Sequence, residues 1–175
     1  NKDILAQAGV EVPKTWDELT AACKTTKEKC PDIYPWGIDM TTDEGQAAFA
    51  YYTWGNAGGF VDDNNEWVLN SAENVAAVEY AVGLVKEGLT NTDPTNDTRY
   101  ALQDLFCAGK LAMMIAPNAL SSQAGDAGIN YGFAAIPNNS GTSVSAGVMD
   151  RIMCFDKCIH TKLTANVEII AYRFR

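Results

Sequence analysis

The chain has 175 residues, of which 47% are hydrophobic, and its 22 acidic and 13 basic side chains give a net charge of −9. A chain of this length can bury a core as a single domain. The negative charge repels phosphate backbones, so nucleic acid is not an expected partner. No apolar run approaches the roughly 20 residues that a membrane-spanning helix needs.

In chain order, apolar periodicity and turn residues predict an α/β fold in which helices alternate with short strands. Helices are expected at 3–9, 16–28, 44–56, 72–87, 98–108 and 119–124. Strands are expected at 36–40, 111–116, 130–136 and 143–155, with a hairpin at 60–69.

Capping residues define the expected helix ends. Thr15 and Glu18 form a Thr-x-x-Glu capping box at the start of the second helix. Ser71 is expected to cap the fourth helix, and Thr42-Asp43 the third. Gly109 follows the fifth helix, where a left-handed residue is common.

The stretch 106–120 predicts a strand that leads directly into a helix. The apolar run after Gly109 has the length of a buried strand, and Pro117 suits the first turn of a following helix. Ligands of open α/β sheets bind at the carboxyl ends of strands. We therefore expect a small-molecule site near residues 116–118.

Candidate catalytic groups are few. The single histidine, His160, lies in a tail (157–175) whose composition differs from the rest of the chain. The adjacent pair Asp43-Glu44 sits at an expected helix start, where acidic side chains complement the helix dipole. The same loop follows a strand end and could therefore reach a ligand. We expect no catalytic residue, no metal site and no cofactor.

Aromatic residues offer a second candidate surface. Tyr51 and Trp54 share one face of the expected third helix. Such a pair either packs in the core or forms an apolar platform for the C–H face of a sugar, whose hydroxyl groups then need polar partners nearby. Both interpretations of Trp54 remain open at the level of sequence.

The five cysteines are an odd number, so at least one thiol is unpaired in any disulfide scheme. Cys23 and Cys30 could form a disulfide if the second helix ended between them. Cys107 and Cys154 are interpreted as small buried hydrophobic residues.

Four segments together resemble the extracellular solute-binding proteins of sugar ABC transporters, the group that contains maltose-binding protein. They span 12–24, 49–89, 105–120 and 130–137. The resemblance implies a two-lobed binding protein, of which this chain supplies mainly the second lobe, with helices packed on a short mixed sheet. It assigns residues 1–156 to that lobe and leaves the tail, 157–175, without a counterpart.

The resemblance also implies a ligand site in the cleft between the lobes. Asn118 occupies the place where many members carry a stacking tryptophan, which favours a hydrogen-bonding role. Asp150-Arg151 is either a clamp for a hydroxyl or anionic group, or an ion pair at a strand edge. Together with the aromatic candidate, the expected ligand-binding residues are Asp43, Glu44, Gln46, Trp54, Asn118, Gly147, Asp150 and Arg151.

The function implied by the resemblance is capture of a mono- or oligosaccharide and its delivery to a membrane permease, without enzymatic activity. Such a protein would act in the periplasm, or outside the cell on a lipid anchor. The alternative is a glycoside hydrolase fragment that uses Glu44 and Asp150 as its two carboxyl groups.

Overall fold

The structure, a computed structural model, describes residues 1–146 and contains helices that pack around a short sheet. None of these helices is long and apolar enough to cross a membrane. The elements are α1 Lys2–Ala8, α2 Trp16–Lys29, β1 Tyr34–Gly37, α3 Gly45–Trp54, α4 Ala72–Lys86, α5 Arg99–Cys107, β2 Leu111–Met114 and α6 Leu120–Asp126.

Local capping explains where most helices begin and end. Thr15 Oγ1 accepts a hydrogen bond from the Glu18 amide (3.2 Å), and Glu18 Oε2 accepts one from the Thr15 amide (3.3 Å), so the predicted capping box of α2 is confirmed. Ser71 Oγ accepts the Asn74 amide at the start of α4. Gly109 has φ +68°, the left-handed conformation expected after α5.

The predicted cap of α3 is wrong. Glu44 occupies the N-cap position and makes no capping hydrogen bond with its side chain. The preceding residues form a turn instead, in which the Gly45 amide donates to the Thr41 carbonyl (2.9 Å) and the Asp43 amide donates to Thr41 Oγ1 (3.4 Å). Asp43 is therefore exposed beside the helix start.

The sheet of the described region is one parallel pair. Tyr34 lies opposite Leu111, and Trp36 lies opposite Met113. The first strand ends at Gly37, earlier than predicted, because the Ile38 amide donates to the Asn91 side chain (2.9 Å) and so leaves the ladder. A Cβ on Gly37 would stand 2.9 Å from a methyl carbon of Leu111, so the close approach of the two strands requires glycine here.

Two predicted strand regions differ in the structure. Residues 130–136 form no strand, because no backbone hydrogen bond joins 131–136 to β2; residues 132–135 are exposed, and a cavity lies between the segment and β2. The predicted hairpin at 60–69 is reduced to one antiparallel bridge between Val61 and Trp67. Most of the predicted strand 143–155 lies outside the described residues, and 143–146 are not in a strand.

Two apolar clusters hold the elements together. One contains Trp16 of α2 stacked on Tyr80 of α4, with ring centroids 4.2 Å apart, and extends to Trp36 and Tyr52. The other packs α5, β2 and α6 around Phe106. The sheet lies between these clusters, and its carboxyl end is consequently held in place from both sides.

The Cys23–Cys30 disulfide is not formed, and both thiols are free and buried. The helix α2 continues to Lys29, so seven residues of helical rise, about 10 Å, separate the two cysteines. A disulfide needs Cα atoms within about 7 Å of each other. Burial raises the pKa of the Cys23 thiol to about 12.

Candidate functional site

A small crevice lies at the carboxyl ends of β1 and β2, where the chain leaves the sheet. Its volume is about 50 Å³. The segment after β1 contributes Ile38, Asp39 and Glu44, and Ile115 follows β2. The wall is completed by Arg99, the first residue of α5, and by the partly exposed Tyr51 of α3. This is the position at which open α/β sheets bind ligands.

An ion pair between Glu44 and Arg99 dominates the chemistry of this crevice. Arg99 Nε donates to Glu44 Oε2 at 2.7 Å, and the side chains are 19% and 37% exposed for Arg99 and Glu44 respectively. The Arg99 guanidinium carbon also lies 4.4 Å from the ring centroid of Tyr100. The hydrogen bond that Arg99 donates to Glu44 raises the pKa of Arg99 further above its ordinary value. Arg99 is therefore a permanent cation that can donate hydrogen bonds.

Asp39 holds this ion pair in position. Its Oδ1 accepts the Thr41 amide (2.8 Å) and its Oδ2 accepts the Arg99 amide (2.8 Å). The carboxylate thus joins the loop that carries Glu44 to the helix that carries Arg99. A bond from the Ile38 amide to the buried side chain of Asn91 fixes the start of the same loop. The geometry of the crevice is consequently built into the fold.

A larger cavity of about 330 Å³ runs along the other edge of β2. Residues 112–117 line one side and residues 131–137 line the other. Trp36 and Phe106 form part of its floor, and most of the lining surface is apolar. Sugar hydroxyl groups need hydrogen-bond partners when they are buried. The Glu44–Arg99 ion pair places such partners in the crevice, whose lining is otherwise at least as apolar as that of the cavity.

The two regions are adjacent: Ile115 lines both, and a buried hydrogen bond joins a residue of one to a residue of the other. Trp36 Nε1 donates to Tyr52 Oη at 2.8 Å; Trp36 lines the cavity and Tyr52 lines the crevice. Burial raises the pKa of Tyr52 above its usual range. Tyr51, beside it on α3, lines both regions.

The structure brings only some of the predicted site residues together. Glu44 lines the crevice, and the exposed residues Asp43 and Gln46 flank it in sequence. Trp54 packs edge-on against Phe60 at 5.9 Å and lines neither cavity.

The predicted corner at 116–118 is divided between cavity and surface. Ala116 and Pro117 line the larger cavity, whereas Asn118 is exposed and lines neither region. The predicted site residues Gly147, Asp150 and Arg151 lie outside the described residues. Residues 1–146 hold no cluster of three or more His, Cys, Asp or Glu side chains placed to bind a metal ion.

Sequence reasoning missed Arg99 and Asp39. Arg99 meets a partner that lies 55 positions away in the sequence, which no local pattern reveals. One signal was available, because Arg99 is the only basic residue between Lys86 and Lys110, in an otherwise acidic stretch. A lone cation in such a stretch is a candidate for a specific carboxylate partner.

Residues 1–149 match the family model of the bacterial extracellular solute-binding proteins. The chain belongs to this family. A binding protein of Brucella abortus is 30% identical over 159 residues, which cover 89% of this chain and 39% of that protein. The chain therefore spans about two fifths of the length of the curated relatives that it matches.

Solved structures agree with this assignment. The GacH receptor of Streptomyces glaucescens is 30% identical with a TM-score of 0.67, over 82% of this chain and 37% of the receptor. A sugar transporter protein of Arthrobacter chlorophenolicus has a TM-score of 0.70 at 22% identity, over 81% of this chain and 36% of that one. These neighbours have two lobes, and the solute-binding chain described here has the α/β fold of a single lobe.

Proposed function

We propose that this chain is the ligand-binding second lobe of a sugar-binding protein that serves an ABC importer. Its ligand is a mono- or oligosaccharide, held in a cleft between lobes with the Glu44–Arg99 crevice on this side. The observation that carries the proposal is this ion pair, which is fixed at the strand ends of a solute-binding fold.

Relatives with more than 25% identity support a carbohydrate ligand. The GacH receptor was solved in complex with acarbose. MalE3 of T. maritima, 28% identical with a TM-score of 0.59 over 65% of this chain and 29% of that one, was solved with bound maltose. Charged side chains beside an apolar wall are the combination that sugar recognition requires. Closure of the two lobes around the sugar would favour the bound state.

The proposed assignment extends the predicted site. Glu44 is its centre, Asp43 and Gln46 contact the parts of the ligand outside the crevice, and Asn118 offers an amide at the strand-to-helix corner. Trp54, Gly147, Asp150 and Arg151 remain proposed ligand contacts. The lobe is proposed to span 1–156, with 157–175 as a separate tail.

The proposed role is transport and not catalysis. The protein would deliver its sugar to a membrane permease from the periplasm, or from outside the cell on a lipid anchor, which accords with a family of extracellular proteins. The comparisons give no support to the glycoside hydrolase alternative. Its first carboxylate, Glu44, is engaged by Arg99, and its second, Asp150, lies outside the described residues.

Calorimetry on the longest natural product that contains this chain tests the proposal. We expect a Kd near 1 μM, about −8 kcal/mol, for at least one of maltose, laminaribiose and acarbose. The 175-residue chain alone should bind the same sugar at least tenfold more weakly, because it supplies one side of the cleft. Absence of binding to any neutral sugar would contradict the proposal, and turnover of a bound sugar would favour the hydrolase.

A further inference from the structure

We propose that Glu44 and Arg99 together form a donor–acceptor pair that accepts adjacent hydroxyl groups of an uncharged sugar and rejects an anionic one. This inference rests on the proposed function, because it names the ligand class of the same site. It also adds Arg99 as a ligand-contacting residue and Asp39 as a positioning residue.

The ion pair leaves hydrogen-bonding groups available beside the crevice. A guanidinium has five N–H donors and a carboxylate has two oxygens, and the pair uses only Arg99 Nε and Glu44 Oε2. Glu44 Oε1 and the terminal amino groups of Arg99 therefore remain for a ligand. Two neighbouring hydroxyls match this arrangement, because one can donate to the carboxylate while the other accepts from the guanidinium.

The size of the crevice sets how much of the ligand enters it. A water molecule takes up about 30 Å³ of liquid volume. On the measure that gives the crevice about 50 Å³, one water molecule needs only about 10–15 Å³, so the crevice has room for a few hydroxyl-sized groups. Ala47, Ala48 and Ile115 supply an apolar wall for the adjacent C–H groups. The edge of a sugar enters the crevice, and its remainder lies in the cleft.

The charge of the crevice disfavours anions. Two carboxylates, those of Asp39 and Glu44, and one guanidinium, that of Arg99, belong to residues that line the crevice. Arg99 is already neutralised by its partner, and both oxygens of Asp39 accept backbone amides. An anionic group would meet a net negative site within a chain whose overall charge is −9. A neutral hydroxyl pair meets one donor and one acceptor without this repulsion.

Removing the negative charge of Glu44 or the positive charge of Arg99 tests whether the pair selects neutral sugars over acidic ones. Calorimetry on the longest natural product would compare maltose and laminaribiose with the uronic acid analogue of each. Glu44→Gln should weaken neutral sugar binding at least tenfold and shift the neutral-to-acid affinity ratio toward the acid, since Arg99 then lacks its anionic partner. Arg99→Gln should weaken neutral binding similarly and shift the ratio further from the acid.

Controls separate this role from a structural one. Lys24 and Glu87 form an ion pair of the same 2.7 Å length on the surface, about half exposed, so Lys24→Gln and Glu87→Gln should leave the affinities and the ratio unchanged. Arg99→Lys keeps the charge but loses the planar fork, and it should weaken both ligands without moving the ratio. Thermal unfolding of each variant checks its folding.

The outcomes distinguish the inference from the function on which it rests. If Glu44→Gln and Arg99→Gln shift the neutral-to-acid affinity ratio in opposite directions, the donor–acceptor pair is supported. If the unaltered protein binds neutral sugars but both Gln variants leave the ratio unchanged, or move it in the same direction, the inference is wrong and the proposed function stands. If the unaltered protein binds no sugar, the proposed function itself fails.

Discussion

The crevice beside Glu44 and the cavity along β2 are neighbours that share Tyr51 and Ile115, yet they differ in volume and in the presence of an ion pair. The crevice has a volume of about 50 Å³ and contains an ion pair, whereas the cavity has a volume of about 330 Å³ and is lined by no ion pair of the described residues; the lining of both is mostly apolar. Volume alone would select the cavity as the ligand site. For the proposed sugar ligand the ion pair favours the crevice, because a sugar must replace its hydrogen bonds to water.

The two regions also differ in how they are built. Three elements converge on the crevice, and Asp39 and Asn91 fix its loop through hydrogen bonds to backbone amides. The cavity, in contrast, lies between β2 and residues 131–137, which are not paired as strands. A preorganised ion pair and a larger cavity beside an unpaired strand edge therefore coexist within a few residues of each other.

The largest expected effect tests the strand that the two regions share. Leu111 begins β2 and is fully buried in the second apolar cluster. Leu111→Ala should lower the free energy of unfolding by about 2–5 kcal/mol, as measured by urea denaturation of the 175-residue chain. Leu69, which is 48% exposed, is the matched control, and Leu69→Ala should cost less than about 1 kcal/mol. Equal losses would show that β2 does not anchor the two regions.

The sequence determines the helices of this lobe better than its sheet. Thr15, Ser71 and Gly109 were sufficient to locate helix ends, because capping involves residues within four positions of each other. The strand predicted at 130–136 depends on a partner, which local composition cannot supply. Val75 and Val78 keep a helical period but are 47% and 40% exposed, because α4 buries Asn74 and Ala77 instead.

The site was predictable only in part for the same reason. Glu44 follows a strand end, which is a local signal, and the structure places it in the crevice. Its partner Arg99 arrives from another helix, and the parallel pairing of β1 with β2 is what brings the two together. Contacts of this kind depend on topology and cannot be derived from the pattern around either residue.

Three titratable groups of the first apolar cluster, Cys23, Tyr52 and Tyr80, give a pH prediction of intermediate size. Burial raises the pKa of Tyr52, and raises the pKa of Tyr80 and of Cys23 to about 12 each. The folded state therefore keeps protons that the unfolded state loses above about pH 9 for the thiol and about pH 10 for the phenols. Stability should be full below pH 9 and fall as the pH rises toward 12, by at least about 1 kcal/mol at pH 11.

Urea midpoints between pH 8 and pH 11, read with phenolate absorbance, measure this alkaline loss. Cys23→Ala should remove the part of the slope that begins near pH 9, and Tyr80→Phe should reduce the part above pH 10. A midpoint that is constant up to pH 11 would mean that these groups are hydrated in the folded state. Such a result would contradict the buried hydrogen bond from Trp36 to Tyr52.

The smallest expected change in stability separates the two regions most sharply. Ala116 lines the larger cavity, and Ala116→Leu adds three carbons to an apolar space, so stability should change by no more than about 1 kcal/mol. In the longest natural product, sugar affinity should stay within twofold. Ala48→Leu, the matched change at the crevice, should lower it at least tenfold because it fills the space for the hydroxyl groups. The reverse result would place the ligand in the cavity and leave Glu44 and Arg99 as a purely structural pair.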